Sequence, residues 1–201
     1  RRDFSRFYFL GDDDLLEIIG NSQEPGKVLA HVAKMFAGIA GAVSVTTDLA
    51  EDTITRFDAM VSKDGEVVPF HKPIEVKKQM GVKDWLKQLE ERMQSTLALL
   101  LEQAVSEDKS SEVSLIGDDG KATFVEWAKK FPAQIMILAT LINWSMGVDS
   151  ALKTDGDSSK GLKAVLASLE AKLDIMAENV LLDLPNDARK KFEQLITELV
   201  H

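Results

Sequence analysis

The stretch Arg6-Phe7-Tyr8-Phe9-Leu10-Gly11-Asp12-Asp13-Asp14-Leu15-Leu16-Glu17-Ile18-Ile19-Gly20-Asn21-Ser22 carries three signals in succession. The aromatic run Phe7-Tyr8-Phe9 reads as an extended strand or loop. The aspartates suit a helix start, where carboxylates satisfy free N–H groups and face the positive end of the helix dipole. Gly20 followed by Asn21 is a natural helix stop. An extended segment feeding a short, capped, apolar helix is therefore expected.

Outward from this stretch, the hydrophobic period decides the class. Pro25 sits where a helix accepts it, in the first turn. Val28, Val32, Met35, Phe36 and Ile39 then recur at helical spacing, with Gly38 and Gly41 closing the element. Val43, Val45 and the run from Ile54 to Phe70 read as strands. Asp64-Gly65 marks a two-residue hairpin in which both positions need positive φ. Pro69 and Pro73 predict edge positions or strand ends. A meander of two or three antiparallel strands follows.

Val82 to Val105 returns to helical spacing, with a stripe of Trp85, Leu89, Met93, Leu97, Leu100 and Ala104, widened by Leu86, Thr96 and Leu101. Such a helix is roughly 35 Å long. Ser106 to Lys121 is polar and acidic and reads as a long surface loop. Thr123 with Glu126 is a capping-box pattern that opens a short helix through Trp127. Pro132 then begins a helix apolar on most sides (Ile135, Met136, Ile137, Leu138, Leu141, Ile142, Trp144), expected to be the centre of a bundle. A second polar loop, Thr154 to Gly161, precedes an amphipathic helix of Leu162, Val165, Leu166, Leu169, Leu173, Met176 and Val180. That helix ends near Pro185, and a last one carries Phe192, Leu195, Ile196 and Leu199.

The fold class read from these patterns is mainly α, an elongated helical bundle with a small antiparallel β-hairpin or meander insert. One fragment, 1–201, is expected to divide into a leading segment with two short helices (1–41), a small β-meander (42–80) and a long-helix bundle (81–201).

The chain has 201 residues, 45% hydrophobic content and no cysteine, so a core forms without disulfides or thiolate metal sites. A net charge of −9 argues against nucleic acid, acidic membrane surfaces and the acidic surface of a microtubule. No signal peptide is legible. The longest apolar run, Ile135 to Ile142, is read as too short for a bilayer. The chain has no initiator Met and its end falls inside a helical pattern, so a piece of a longer protein is expected.

Chemistry finds little purchase. No G-x-x-x-x-G-K-[ST] phosphate loop exists, and Gly156-Asp157-Ser158-Ser159-Lys160-Gly161 has the wrong order, reading instead as a flexible loop. The Asp12-Asp13-Asp14 triplet invites a hard cation, but consecutive helical residues point apart, which favours capping. Asp119 to Glu126 imitates the second half of an EF-hand loop; Leu115 and Gly117 stand where its first oxygen ligands belong. His31, His71 and His201 are scattered and no pair has zinc-ligand spacing. His31 is placed beside a helix stripe, His71 in a strand or turn. No serine sits in a Gly-x-Ser-x-Gly elbow. Trp85, Trp127 and Trp144 are assigned to the core, with Trp127 the best candidate to face a partner. The basic groups Arg1-Arg2 and Arg189-Lys190-Lys191 read as solvated faces. No residue is expected to be catalytic, cofactor-binding or metal-ligating.

Several stretches resemble, in order, the linker region of dynein heavy chains. Arg6-Phe7-Tyr8-Phe9 before Asp14-Leu15-Leu16-Glu17-Ile18 is similar to its opening segment. Met60-Val61-Ser62-Lys63-Asp64-Gly65-Glu66 looks like its short hairpin, Pro132-Ala133-Gln134-Ile135 through Trp144 like its buried helix. Leu195-Ile196-Thr197-Glu198-Leu199-Val200-His201 resembles a late linker helix approaching the motor ring. Gly11 and Gly20-Asn21-Ser22 lean toward the cytoplasmic rather than the axonemal branch. The resemblance implies the C-terminal half of a linker that arches over a ring of AAA+ modules and moves as the ring cycles ATP. It implies no catalysis here: ATP and Mg²⁺ belong to the ring. The implied partners are that ring, a second heavy chain and dynein accessory chains, in the cytoplasm on the cytoskeleton. The rival expectation is a helical adaptor that binds a partner helix through an exposed groove, which requires a large uncovered apolar patch.

Overall fold

A computed structural model of the chain describes residues 4–48, 53–108, 118–153, 158–181 and 186–200. The described elements are mainly helical, with one three-stranded antiparallel sheet. Two compact units divide at Thr96/Leu97.

In the first unit the Arg6-Phe7-Tyr8-Phe9 run is not extended. Ser5–Phe9 forms a 3-10 turn between extended Phe4 and Leu10. The reason is that Phe4 and Leu10 both enter the core, and three-residue hydrogen bonds (Phe7 N–H to Phe4 O, 3.1 Å; Leu10 N–H to Phe7 O, 3.3 Å) bring both ends inward. Arg6 fastens the turn: its Nε donates to Glu90 at 2.9 Å, its Nη1 to the Met35 carbonyl at 3.1 Å, and its guanidinium lies 4.3 Å over the Phe36 ring.

Helix α1 (Asp12–Gly20) starts and stops where the acids and Gly20-Asn21 predict. Gly11, with no side chain, is its N-cap. The cap is closed from the other side, by Asp14 accepting the Gly11 N–H. Asn21 closes the far end by donating its backbone and side-chain N–H groups to Glu17 O, both at 2.9 Å. Pro25–Val28 (α2), a 3-10 turn at Leu29–His31 and Val32–Met35 (α3) follow as three short pieces.

Ile39, assigned by its spacing to this helix, instead opens strand β1 (Ile39–Asp48), and Gly41 lies within that strand. Gly38 at φ 81° makes the switch. β2 (Thr53–Ser62) is central and β3 (Val67–Lys77) is an edge, where Pro69 and Pro73 cost no interior hydrogen bonds. The β2–β3 connection is not the two-residue turn expected. Only Gly65 has positive φ, at 86°. Gly65 N–H bonds Ser62 O at 3.0 Å and Ser62 N–H bonds Glu66 O at 2.9 Å, the pattern of a three-residue loop ending in a left-handed glycine.

Phe57, Ala59 and Met60 of β2 and Val68, Phe70, Ile74 and Val76 of β3 are buried. Helix α4 (Val82–Glu107) supplies Trp85, Leu86, Leu89 and Met93 to the core, and Trp85 stacks on Phe57 at 5.6 Å. The predicted stripe of α4 is thus confirmed, and α4 carries residues of both units.

In the second unit, α5 (Asp118–Lys130) begins before Thr123. Thr123 is therefore no cap: its hydroxyl donates back to Asp119 O at 2.8 Å inside the helix. Asp118 to Lys121, expected in a loop, are helical, while 109–117 lie outside the described residues. Likewise α7 (Ser158–Val180) absorbs Ser158 to Gly161, and 154–157 lie outside the description.

Helix α6 (Ala133–Lys153) packs with α7 and with α8 (Asn186–Val200). It is not buried all round. Ile135, Met136, Ile137, Ala139 and Thr140 are covered, but Trp144 is 44% exposed and Met146 and Leu152 more so. Its 21 residues are long and apolar enough to cross a bilayer by length and composition, so the length of the Ile135–Ile142 run excludes nothing. Its contacts with α7 and α8 account for the covered part of its apolar surface. The stripe expected on α7 holds in part: Met176 is buried and Leu173 and Val180 pack against the core, but Lys172 and Ile175 are buried too and Leu166 is exposed.

Small residues set the α6–α7 approach. A Cβ on Gly161 would lie 2.8 Å from Ala151 Cβ and 3.2 Å from its Cα; one on Gly147 would lie 3.2 Å from Val165 Cγ2. Gly147 and Ala151 on α6 therefore face Val165 and Gly161 on α7. Gly161→Val is expected to lower stability by about 1–3 kcal/mol through overpacking against backbone, although glycine is the poorer helix former by about 1 kcal/mol. Urea denaturation checks this; a stabilised variant would show that the seam is loose.

Candidate functional site

The residues singled out for chemistry separate cleanly once folded. Asp12 and Asp13 do not join a cluster, but Asp14 does. Asp14 and Glu17 are three apart on α1 and so share a face. The 3-10 turn of Leu29–His31 brings His31 against that face. His31 Nδ1 lies 3.3 Å from Asp14 Oδ1, and its Nε2 lies 3.4 Å from Glu17 Oε2. His31 is 6% exposed, and neither ring nitrogen makes a hydrogen bond. One ligand atom from each of the three residues lies within 4.8 Å of the others.

Lys34, at the end of α3, donates to both Asp14 oxygens at 2.7 and 2.9 Å. That hydrogen bond holds the Asp14 carboxyl below its ordinary value against partial desolvation, helped by the charges of Lys34 and His31 and by the Gly11 N–H. Asp14 therefore contributes stability above the ordinary carboxylate value, and loses it as pH falls through the depressed one.

Asp14 finds its partners on the next turn and in another element, and not in Asp12 or Asp13. The isolated reading of His31 does not. An i,i+3 acidic pair followed by a stop signal and a histidine was the available clue.

Other candidates resolve as structure. His71 Nδ1 lies 3.0 Å from Thr96 Oγ1, and Arg92 Nη1 lies 3.1 Å from His71 Nε2, so the middle of β3 is pinned to α4. His201 and Arg1-Arg2 lie outside the described residues. Ser158 to Gly161 of the imitation phosphate loop form the first turn of α7. The described part of the EF-hand imitation, Asp118 to Glu126, is helix. Lys191 is not simply solvated, because its Nζ donates to Phe131 O at 3.1 Å.

Trp127 lies in the core, as assigned, whereas Trp144, assigned to the core as well, does not. Trp127 is 7% exposed, donates Nε1–H to Ala104 O at 3.0 Å, and packs between Phe124 and Phe131. Trp144 is the exposed one. The expectation also missed a buried ion pair. Lys172 Nζ lies 3.3 Å from Asp108 Oδ2, which also accepts from Asn143 Nδ2 at 2.9 Å. The Lys172 ammonium sits 5.7 Å over the Phe124 ring.

Residues 1–104 match the family model "Dynein heavy chain, N-terminal region 2". The chain belongs to the dynein heavy chain family. It is 41% identical over 205 residues to the cytoplasmic dynein heavy chain of Dictyostelium discoideum, and 39% identical over 206 residues to that of Drosophila melanogaster. It is 32% identical to cytoplasmic dynein 2 heavy chain 1 of Caenorhabditis elegans. Each likeness covers 100% of this chain and 4% of the relative. These relatives are of the cytoplasmic branch, toward which Gly11 and Gly20-Asn21-Ser22 lean. Within a dynein heavy chain the matched region is N-terminal, which corrects any reading of the expected "C-terminal half" as a place in the heavy chain as a whole.

Proposed function

We propose that this segment of a dynein heavy chain is a mechanical linker, part lever and part anchor, within a microtubule motor. It carries no chemistry of its own and passes conformational change from an AAA+ ATPase ring toward cargo-directed movement. The observation that carries the reading is the likeness to cytoplasmic dynein heavy chains along the whole chain. The packing supports it. A lever must not yield, and densely packed interiors resist compression. The close Gly147–Val165 and Ala151–Gly161 contacts hold two long helices against each other.

In this reading the ring of the same heavy chain is the immediate partner, and the parent is a homodimer with accessory chains in the cytoplasm. ATP and Mg²⁺ act in the ring. The net charge of −9 disfavours direct contact with microtubule, membrane or nucleic acid. The purified 201-residue chain is expected to show no ATP turnover above buffer background. Turnover that persists through repeated purification, and scales with chain concentration, would overturn the non-catalytic assignment.

A second reading, a helical adaptor, draws on the exposed Leu138, Trp144, Met146, Leu152 and Leu166. Trp144→Cys with a short crosslinker in the intact heavy chain separates the two. The lever reading expects crosslinks within the same polypeptide, and the adaptor reading expects crosslinks to a separate one.

A further inference from the structure

We propose that Asp14, Glu17 and His31 form a binding site for a divalent cation of zinc type, independent of the lever reading. The decisive observation is His31. A buried imidazole ordinarily satisfies both nitrogens, yet this one is 6% exposed and hydrogen-bonds through neither. Both nitrogens nonetheless stand beside carboxylate oxygens, at 3.3 and 3.4 Å.

That spacing suits a shared ion. Two ligands at ~2.0–2.2 Å from a tetrahedral zinc stand about 3.3–3.5 Å apart, with the ion off the line between them. A donor–acceptor pair so displaced fails as a hydrogen bond and works as a chelate. An imidazole binds one ion through one nitrogen. Nδ1 and Asp14 are therefore the pair in place, and Glu17 completes the set. Its side chain is 62% exposed and free to turn toward the ion. Three protein ligands leave one position for water. The imidazole selects zinc-type ions over Mg²⁺ and Ca²⁺, which prefer all-oxygen shells.

Lys34 is the competitor. Its ammonium occupies the Asp14 carboxylate, but its own side chain is 54% exposed, and such pairs hold weakly against solvent. An arriving dication would displace it outward. The bound ion would clip α1 to the segment of α2 and α3. Apolar burial secures α1 thinly: Ile18 is its buried residue, while Leu16 and Ile19 are 67% and 68% exposed.

Calorimetric titration of the 201-residue chain with Zn²⁺ tests the site, alongside Glu17→Gln, Lys34→Met and His31→Gln. One specific Zn²⁺ per chain is expected, with a raised melting temperature that Mg²⁺ at equal concentration does not reproduce. Glu17→Gln should weaken binding at least tenfold, measured against its own metal-free melting temperature. Lys34→Met should tighten it severalfold by removing the competing cation. X-ray absorption should report a single imidazole among oxygen ligands. No binding, or zinc taken up equally by the wild-type and Glu17→Gln chains, overturns the proposal; the second outcome would mark adsorption to an acidic surface. If His31→Gln fails to fold, Glu17→Gln and Lys34→Met decide.

Discussion

Trp85→Ala is expected to destabilise the chain by about 3–5 kcal/mol, the range for a fully buried aromatic. Trp85 is 0% exposed and stacks on Phe57 of the central strand, so its removal opens a void where helix meets sheet. Relaxation cannot fill that void easily, because Leu86 and Leu89 of the same helix are themselves fully buried. Trp85 Nε1 makes no hydrogen bond to protein. Trp85→Phe should therefore cost much less, since it removes an unpaired donor along with the lost area. Trp144→Ala is the contrast. At 44% exposure it should change stability by well under half as much as Trp85→Ala. Denaturant midpoints of the three variants check the ranking, and equal losses from Trp85→Ala and Trp144→Ala would refute the core assigned here.

The second large effect is expected at the buried pair of the other unit. Lys172→Met takes one ammonium away from the buried Asp108 carboxylate. Breaking such a pair from one side costs about 3–5 kcal/mol. Asn143 still donates to Asp108, which tempers the loss without supplying charge. The double change Asp108→Asn with Lys172→Met should recover most of the stability, since neither charge then needs compensation. A double variant as unstable as the single one would mean that packing, not charge, sets the cost.

Legibility followed the range of the forces involved. α4 was readable because twenty-odd residues repeat one spacing and tertiary context merely agrees. The α1 boundaries were readable because capping is local. Arg6 to Phe9 misled because aromatic β-propensity is weak beside the gain from burying Phe4 and Leu10 at both ends of a tight turn. Ile39 misled because one glycine, Gly38, converts a helical repeat into a strand. α6 misled because composition states how apolar a helix is, not how much of it neighbours cover. The Asp14–Glu17–His31 cluster was half legible: the i,i+3 acidic pair on α1 is a local pattern, but the approach of His31 depends on a second element folding against it. Lys172 left a trace, as a cation at the spacing of Leu169 and Met176, where an apolar residue belongs unless it is paired.

As a lever, the proposed role of this segment, the chain would transmit work generated elsewhere. The most direct test places Gly161→Val in an intact motor heavy chain and measures microtubule gliding velocity and ATP turnover on the same preparation. A softened α6–α7 seam, verified as a lowered melting temperature, is predicted to reduce velocity severalfold while turnover stays within about twofold. An unchanged velocity with the seam demonstrably weakened, or turnover lost in step with velocity, would contradict it.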